Sequence, residues 1–184
     1  RLSASGLQEI TTLSLTGADD KDPKRIAISN PLLAETSHLR TALWQEHLQV
    51  CQRNLQASQP GCWLFEIGHV FRPVGEAIEQ DARLSGVICG ERRLSTWRSS
   101  GKPKPLSYYQ ARGVLSTVLN SLGLSAQDRR LSDDDRLHPG RAASVVVEGR
   151  PLGSFGQLHP ALCENHELPA DTYLFDLDLV RLLE

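Results

Sequence analysis

The chain has 184 residues, a formal net charge of −2 and 40% hydrophobic residues. That length suits one core burying roughly 70% of the unfolded chain's surface, and the near-neutral charge argues against a wholly basic nucleic-acid module. No run approaches the ~18 apolar residues of a membrane helix, and no signal-peptide pattern opens the sequence.

Residues 7–15 read as a strand entering from a truncated helix, and 16–25 as a polar turn with Gly, Asp and Pro at loop positions. A short strand, IAISNPLL, stops at Asn30-Pro31. From about Ser37 to Gln56 the period is helical, with Trp44, Leu48, Cys51 and Leu55 on one face. The stretch LFEIGHVFR (64–72) alternates like a half-buried strand. It sets Phe65, Ile67, His69 and Phe71 on one side and Glu66 and Arg72, with Leu64, Gly68 and Val70, on the other. A turn near Pro73-Val74-Gly75 leads to another strand over 82–90.

Residues 91–105 form a loop rich in Ser, Gly and Pro that carries Arg92, Arg93, Arg98, Lys102 and Lys104. It reads as solvated, with a polyanion contact as the alternative. Ser107 and Gln110 make an S-x-x-Q capping box. Tyr108, Ala111, Leu115, Val118 and Leu122 continue it as a helix face that Gly123 closes, with Arg112 on the solvated side. Residues 142–160 read as two strands joined near Glu148-Gly149-Arg150-Pro151. A further strand over 172–179 carries Tyr173, Phe175 and Leu177 on one face, and a short helix follows. Strands interleaved with amphipathic helices give an α+β class with a mainly antiparallel sheet.

The chain opens on Arg1 and contains no Met, which suggests a fragment or a processed product. The cysteines at 51, 62, 89 and 163 include no C-x-x-C pair and read as reduced, partly buried thiols in a cytosolic setting. His138 and His159, each before a proline, read as turn-stabilising hydrogen-bonding groups rather than metal ligands. Asp133-Asp134-Asp135 reads as a solvated acidic turn rather than a Mg²⁺ site. Phosphate-binding, dinucleotide-binding and nucleophile-elbow motifs are absent from the sequence. No catalytic constellation follows from the residues alone.

Five segments occur in a fixed order: ISNPLLAETSHLRTAL (28–43), LFEIGHVFR (64–72), SYYQARGVL (107–115), LHPGRAASV (137–145) and GSFGQLHPAL (153–162). The series resembles the catalytic-like core of the β-subunit family of bacterial phenylalanyl-tRNA synthetases. Arg112 stands where that family usually has Lys, and Ala142 where it often has Ser. The resemblance implies a class II synthetase-like fold, an antiparallel sheet flanked by helices, kept as an inactive domain spanning residues 1–184. Its implied partners are the α subunit, which carries the active site, and the second αβ unit of an α₂β₂ heterotetramer. The implied reaction attaches phenylalanine to tRNA(Phe) with ATP and Mg²⁺, in the cytoplasm, with no cofactor or metal held by this domain. Editing and anticodon recognition would belong to domains before Arg1 and after Glu184.

In active class II cores an arginine on a strand–loop–strand segment grips the ATP α-phosphate, and Arg72 falls near that place. Pro73 follows where the loop should begin, and the terminal stretch 173–184 lacks the glycine-rich strand and helix that carry a second arginine, leaving Arg181 in a plain amphipathic context. The resemblance therefore implies no catalytic residues, with Glu66 and Arg72 as the vestigial candidates for a residual nucleotide or amino-acid site. It further implies that residues 7–15 and 37–56 supply much of the subunit contact, and that Arg92, Arg93, Arg98, Lys102 and Lys104 are the candidates for touching tRNA.

Overall fold

The computed structural model describes residues 1–19, 22, 24–90, 105–131 and 133–183. Among these, a seven-stranded sheet runs in the order β1 (Gln8–Glu9), β5 (Gly61–Val74), β6 (Ala77–Gly90), β10 (Tyr173–Asp178), β9 (Arg150–Leu158), β8 (Leu137–Val147), β7 (Ala126–Arg130). β1 pairs parallel with β5, and every other pairing in the sheet is antiparallel. A small second sheet joins β2 (Leu15–Thr16), β4 (His38–Leu39) and β3 (Ile26–Ala27).

Two helices cover opposite faces. On one face α2 (Tyr108–Ser121) lays Ala111, Leu115, Val118 and Leu119 over Phe65, Ile88, Phe155, Tyr173 and Phe175. On the other, α1 (Trp44–Gln56) and α3 (Pro160–Asn165) place Leu48, Cys51 and Cys163 over Cys62, Leu64, Val87, Cys89 and Leu174. Each large side chain sealed this way contributes about 1.5–3 kcal/mol. β10 is fourth of seven, so both of its faces are covered: Tyr173, Phe175 and Leu177 lie in the first layer and Leu174 in the second. All four cysteines are free and buried.

The local signals explain several boundaries. Ser107 Oγ accepts from the Gln110 N–H at 3.3 Å, while Gln110 Oε1 accepts from the Ser107 N–H at 2.9 Å, closing the capping box of α2. Gly123, at φ +80°, ends that helix as the Leu124 N–H reaches the Leu119 carbonyl. Glu148 and Gly149 both take positive φ, the backbone that a two-residue β8–β9 hairpin turn requires.

Two boundaries and one helix face differ from expectation. The strand expected over 7–15 is interrupted: Gln8–Glu9 pairs with Leu64–Phe65, and Leu15–Thr16 belongs to the small sheet. Between them the Thr12 and Leu13 carbonyls accept from the Arg40 side chain instead of a neighbouring strand. The helix expected from Ser37 begins at Trp44, because His38–Leu39 pairs with both β2 and β3. Arg40 then holds the chain extended, its N–H on the Ser14 carbonyl and its own carbonyl accepting from the Phe71 N–H. On α2, Leu122 is half exposed and Leu119 takes the buried place. A last short helix, α4 (Leu179–Leu183), follows β10 as expected.

Candidate functional site

Strand register builds a polar row straight across the sheet on the α1 side. Glu66 on β5 faces Ser85 on β6, Ser85 faces Asp176 on β10, Asp176 faces Ser154 on β9, and Ser154 faces Ser144 on β8. Directly opposed residues share a face, so these five side chains line one surface. The adjoining row toward α1 is Leu64, Val87, Leu174, Gly156 and Ala142. This face is therefore apolar under α1 and polar beyond it, with Glu66, Ser85 and Ser154 of the polar row buried.

Glu66 ends that row in a closed network. Its carboxylate accepts from Thr12 Oγ1 at 2.6 Å, Arg40 Nη1 at 3.0 Å and His47 Nε2 at 3.1 Å, and only 1% of its surface is exposed. Burial alone would raise its pKa, but the hydrogen bonds from His47 and Thr12 and the charge of Arg40 outweigh it and hold the group at about 2. Arg40 Nε also donates to the His69 carbonyl at 2.8 Å. The network thus ties the 11–13 segment, the 38–40 segment and α1 to β5. Gly68 makes room for it: a Cβ there would stand 2.7 Å from Arg40 Nη2 and 2.9 Å from Glu66 Oε1.

Glu66 and Arg72 share a strand face, as the alternation implied, but they do not form one site wall. Six residues of strand separate them, about 20 Å. Arg72 is exposed and held by Glu79 and by Asp81, the latter at 2.8 Å. It borders a cavity of about 340 Å³ that also meets Lys24, Thr41, Arg83, Arg136 and Asp176. The arginines there are already paired within the chain. Arg83 donates to Asp176 at 2.9 Å, and Arg136 donates to Asp176 at 2.7 Å and to Asp134 at 2.7 Å. Burial disfavours the charge of Arg136, yet its two carboxylate partners raise its pKa. Asp134 shows the converse: burial opposes its charge, and Arg136 more than compensates, lowering its pKa. A phosphate drawn to Arg83 or Arg136 in this cavity would compete with carboxylates those arginines already hold.

Other candidates also resolve into structural roles. Asp134 is not part of a solvated turn, since its partner Arg136 draws it against the sheet. Arg112 is not solvated either: it is 8% exposed, paired with Asp128 at 2.6 Å, hydrogen-bonded to Ser116 at 2.7 Å and stacked 5.9 Å from the Phe155 ring centre. His138 Nδ1 accepts from the Gly140 N–H at 3.0 Å, and His159 Nδ1 from the Ala161 N–H at 3.2 Å, where it caps α3. Arg181 donates to the Pro151 carbonyl at 2.9 Å and pairs with Asp178. Arg92, Arg93, Arg98, Lys102 and Lys104 lie outside the described residues. Thr12, Arg40 and His47 were missed from sequence. His47 had a signal, because it falls on the same helical stripe as Trp44, Leu48 and Cys51.

Residues 1–179 match the family model described as the phenylalanyl tRNA synthetase beta chain CLM domain. The chain belongs to that family. It is 65% identical over 180 residues to a phenylalanine–tRNA ligase beta subunit of Parasynechococcus marenigrum (strain WH8102), covering 98% of this chain and 22% of the relative. The corresponding subunit of Prochlorococcus marinus (strain MIT 9313) is 61% identical over 183 residues, covering 100% of this chain and 22% of the relative. A more distant relative, from Prochlorococcus marinus subsp. pastoris, is still 36% identical over 183 residues, with the same shares covered. The chain therefore spans about a fifth of the length of the curated relatives it matches. No described helix is long and apolar enough to cross a membrane.

Proposed function

We propose that this chain is a non-catalytic structural and assembly domain of a phenylalanyl-tRNA synthetase β subunit, with a class II synthetase-like fold. In this reading the complete cytoplasmic enzyme is an α₂β₂ ligase that joins phenylalanine to tRNA(Phe). ATP and Mg²⁺ act at the α subunit, and this domain holds neither. Its contribution is a rigid surface on which α and the second αβ unit assemble.

One observation carries the reading. On the polar half of the sheet, Arg72, Arg83 and Arg136 are each neutralised by carboxylates of the same chain. Electrostatic catalysis of adenylyl transfer needs guanidinium groups free to meet developing negative charge. Here that charge is spent on Glu79, Asp81, Asp134 and Asp176. Groups that position a substrate act as a unit, so a single exposed arginine at the rim does not sustain the reaction.

The competing reading is a residual nucleotide or amino-acid site, favoured by Arg72 and Lys24 at the rim of the 340 Å³ cavity. Calorimetric titration of ATP–Mg²⁺ and of phenylalanine separates the two. The structural reading expects no saturable heat for either ligand. Micromolar binding of either one that is abolished by Arg72→Ala would overturn it in favour of the residual site.

A further inference from the structure

The long hairpin of β5 and β6 outruns the rest of the sheet. Its two strands pair without a register shift from Gly61 and Gly90 to Val74 and Ala77. β1 joins β5 only at Leu64 and Phe65, and β10 joins β6 only from Arg83 to Ile88. Over residues 77–82, β6 therefore has β5 as its sole strand neighbour among the described residues. A two-stranded ribbon is marginal in water until a third strand or a covering layer supports it.

The chain treats the two edges of this ribbon differently. On β5 the odd-numbered residues turn their backbone away from β6. The Phe65 carbonyl accepts from the Ile10 N–H at 2.9 Å, the His69 carbonyl from Arg40 Nε at 2.8 Å, and the Phe71 N–H donates to the Arg40 carbonyl at 2.9 Å. Pro73, next in the series, has no N–H to offer. That edge is closed. By the same alternation β6 turns the backbone of Ile78, Gln80 and Ala82 outward, and no backbone partner meets them among the described residues. Residues 77–82 contain no Pro, Lys or bulge, the usual protections of an exposed edge. Their charged side chains, Glu79 and Asp81, are drawn back to Arg72 on β5. This edge is open.

We propose that an extended segment of the α subunit adds to this edge as a further strand along residues 78–82. Its backbone would meet the outward groups of Ile78, Gln80 and Ala82, the mode by which a strand completes an unfinished sheet. Ile78, 55% exposed, and Ala82 share one face of the ribbon and call for apolar side chains beside them. Glu79 and Asp81 share the other face, and with Glu76 they outnumber Arg72, which calls for lysine or arginine there. A second copy fits less well, because edge-to-edge pairing about Gln80 would oppose the carboxylates of Glu79 and Asp81 across the new ladder. The inference rests on the assembly reading above and assigns one contact within it.

The test uses the full-length β subunit that carries this domain and the purified α subunit. Dissociation constants are measured for wild type and three variants, with thermal melting of each β subunit. Gln80→Pro removes an outward N–H and leaves the bonds to β5 in place, Gln80→Ala keeps that N–H, and Ile78→Lys charges the exposed apolar face. Amide hydrogen exchange over residues 78–82 is followed with and without α. Gln80→Pro and Ile78→Lys should each lose about tenfold or more in affinity and Gln80→Ala no more than about twofold, while exchange over 78–82 slows when α is added. Ile78→Lys and the exchange data decide the matter if Gln80→Pro melts early. If wild type binds α but exchange over 78–82 is unchanged, or a folded Gln80→Pro binds as tightly as wild type, the added strand is wrong while the assembly reading stands. If Gln80→Ala weakens binding as much as Gln80→Pro, the side chain rather than the backbone is recognised and the proposal fails. Protection already present in β alone, rising with its concentration, would give the edge to a second copy and overturn the assignment to α. If wild type itself does not bind α, the assembly reading falls and takes this contact with it.

Discussion

Replacing Glu66 by Gln is the sharpest perturbation of the network that organises this fold. The carboxylate is almost wholly buried and takes hydrogen bonds from Thr12, Arg40 and His47. Its pKa falls from 4.5 to about 2 on folding. That depression corresponds to roughly 3 kcal/mol of stability, complete well above the unfolded pKa and lost as pH falls through 4.5 toward 2. At pH 3 the folded carboxylate is still charged while the unfolded one is mostly protonated, and roughly 1 kcal/mol remains. Urea unfolding of the wild type and of Glu66→Gln at pH 7 and pH 3 reads this directly. The variant should be less stable by about 3 kcal/mol at pH 7, within the range for breaking a buried ion pair, and the difference should shrink by about 2 kcal/mol at pH 3. A difference that stays constant between the two pH values would refute the claim that Glu66 stabilises the fold as a charged group.

The other outcomes follow from single contacts. Gly153→Ala would drive a Cβ into the Asp176 carbonyl oxygen in the centre of the sheet, so denaturant midpoints should report a loss of about 3 kcal/mol. Arg136→Ala leaves Asp134 and Asp176 facing one another's charge near the sheet surface; a loss of about 2–3 kcal/mol is expected, and Arg136→Lys should recover only part of it. Ser107→Ala removes one half of the capping box of α2 and should cost about 1 kcal/mol, with hydrogen exchange quickening first at residues 108–111.

Much of the architecture was legible in the sequence because local chemistry dictated it. Ser107, Gln110 and Gly123 bracket α2, and Glu148-Gly149 turn the last hairpin, through interactions spanning only a few residues. The alternation in 64–72 likewise sorted β5 into its two faces, while which face is buried, with Glu66 and Gly68 inside and Ile67 and His69 exposed, was settled only by the fold. What alternation does not supply is register, which depends on the neighbouring strand. The row from Glu66 through Ser85 and Asp176 to Ser154 exists only once three long-range pairings are set. For the same reason Arg112 read as a solvated helix residue: Asp128, sixteen residues on, and Phe155, much further along, are what bury it. The start of α1 was misplaced because a two-residue strand at His38–Leu39 carries no periodicity of its own. The resemblance of the five ordered segments named a family that the match over residues 1–179 then established, whereas the ion pairs that occupy the polar face required coordinates.

If this domain assembles rather than catalyses, it should hold the α subunit by itself. The most direct test is chromatography of this chain mixed with the purified phenylalanyl-tRNA synthetase α subunit, with the mass of the eluting species read by light scattering. The account expects a stable species containing both chains, whose mass equals a simple stoichiometric sum. Separate elution of a folded domain and free α subunit would contradict the assembly role assigned to it.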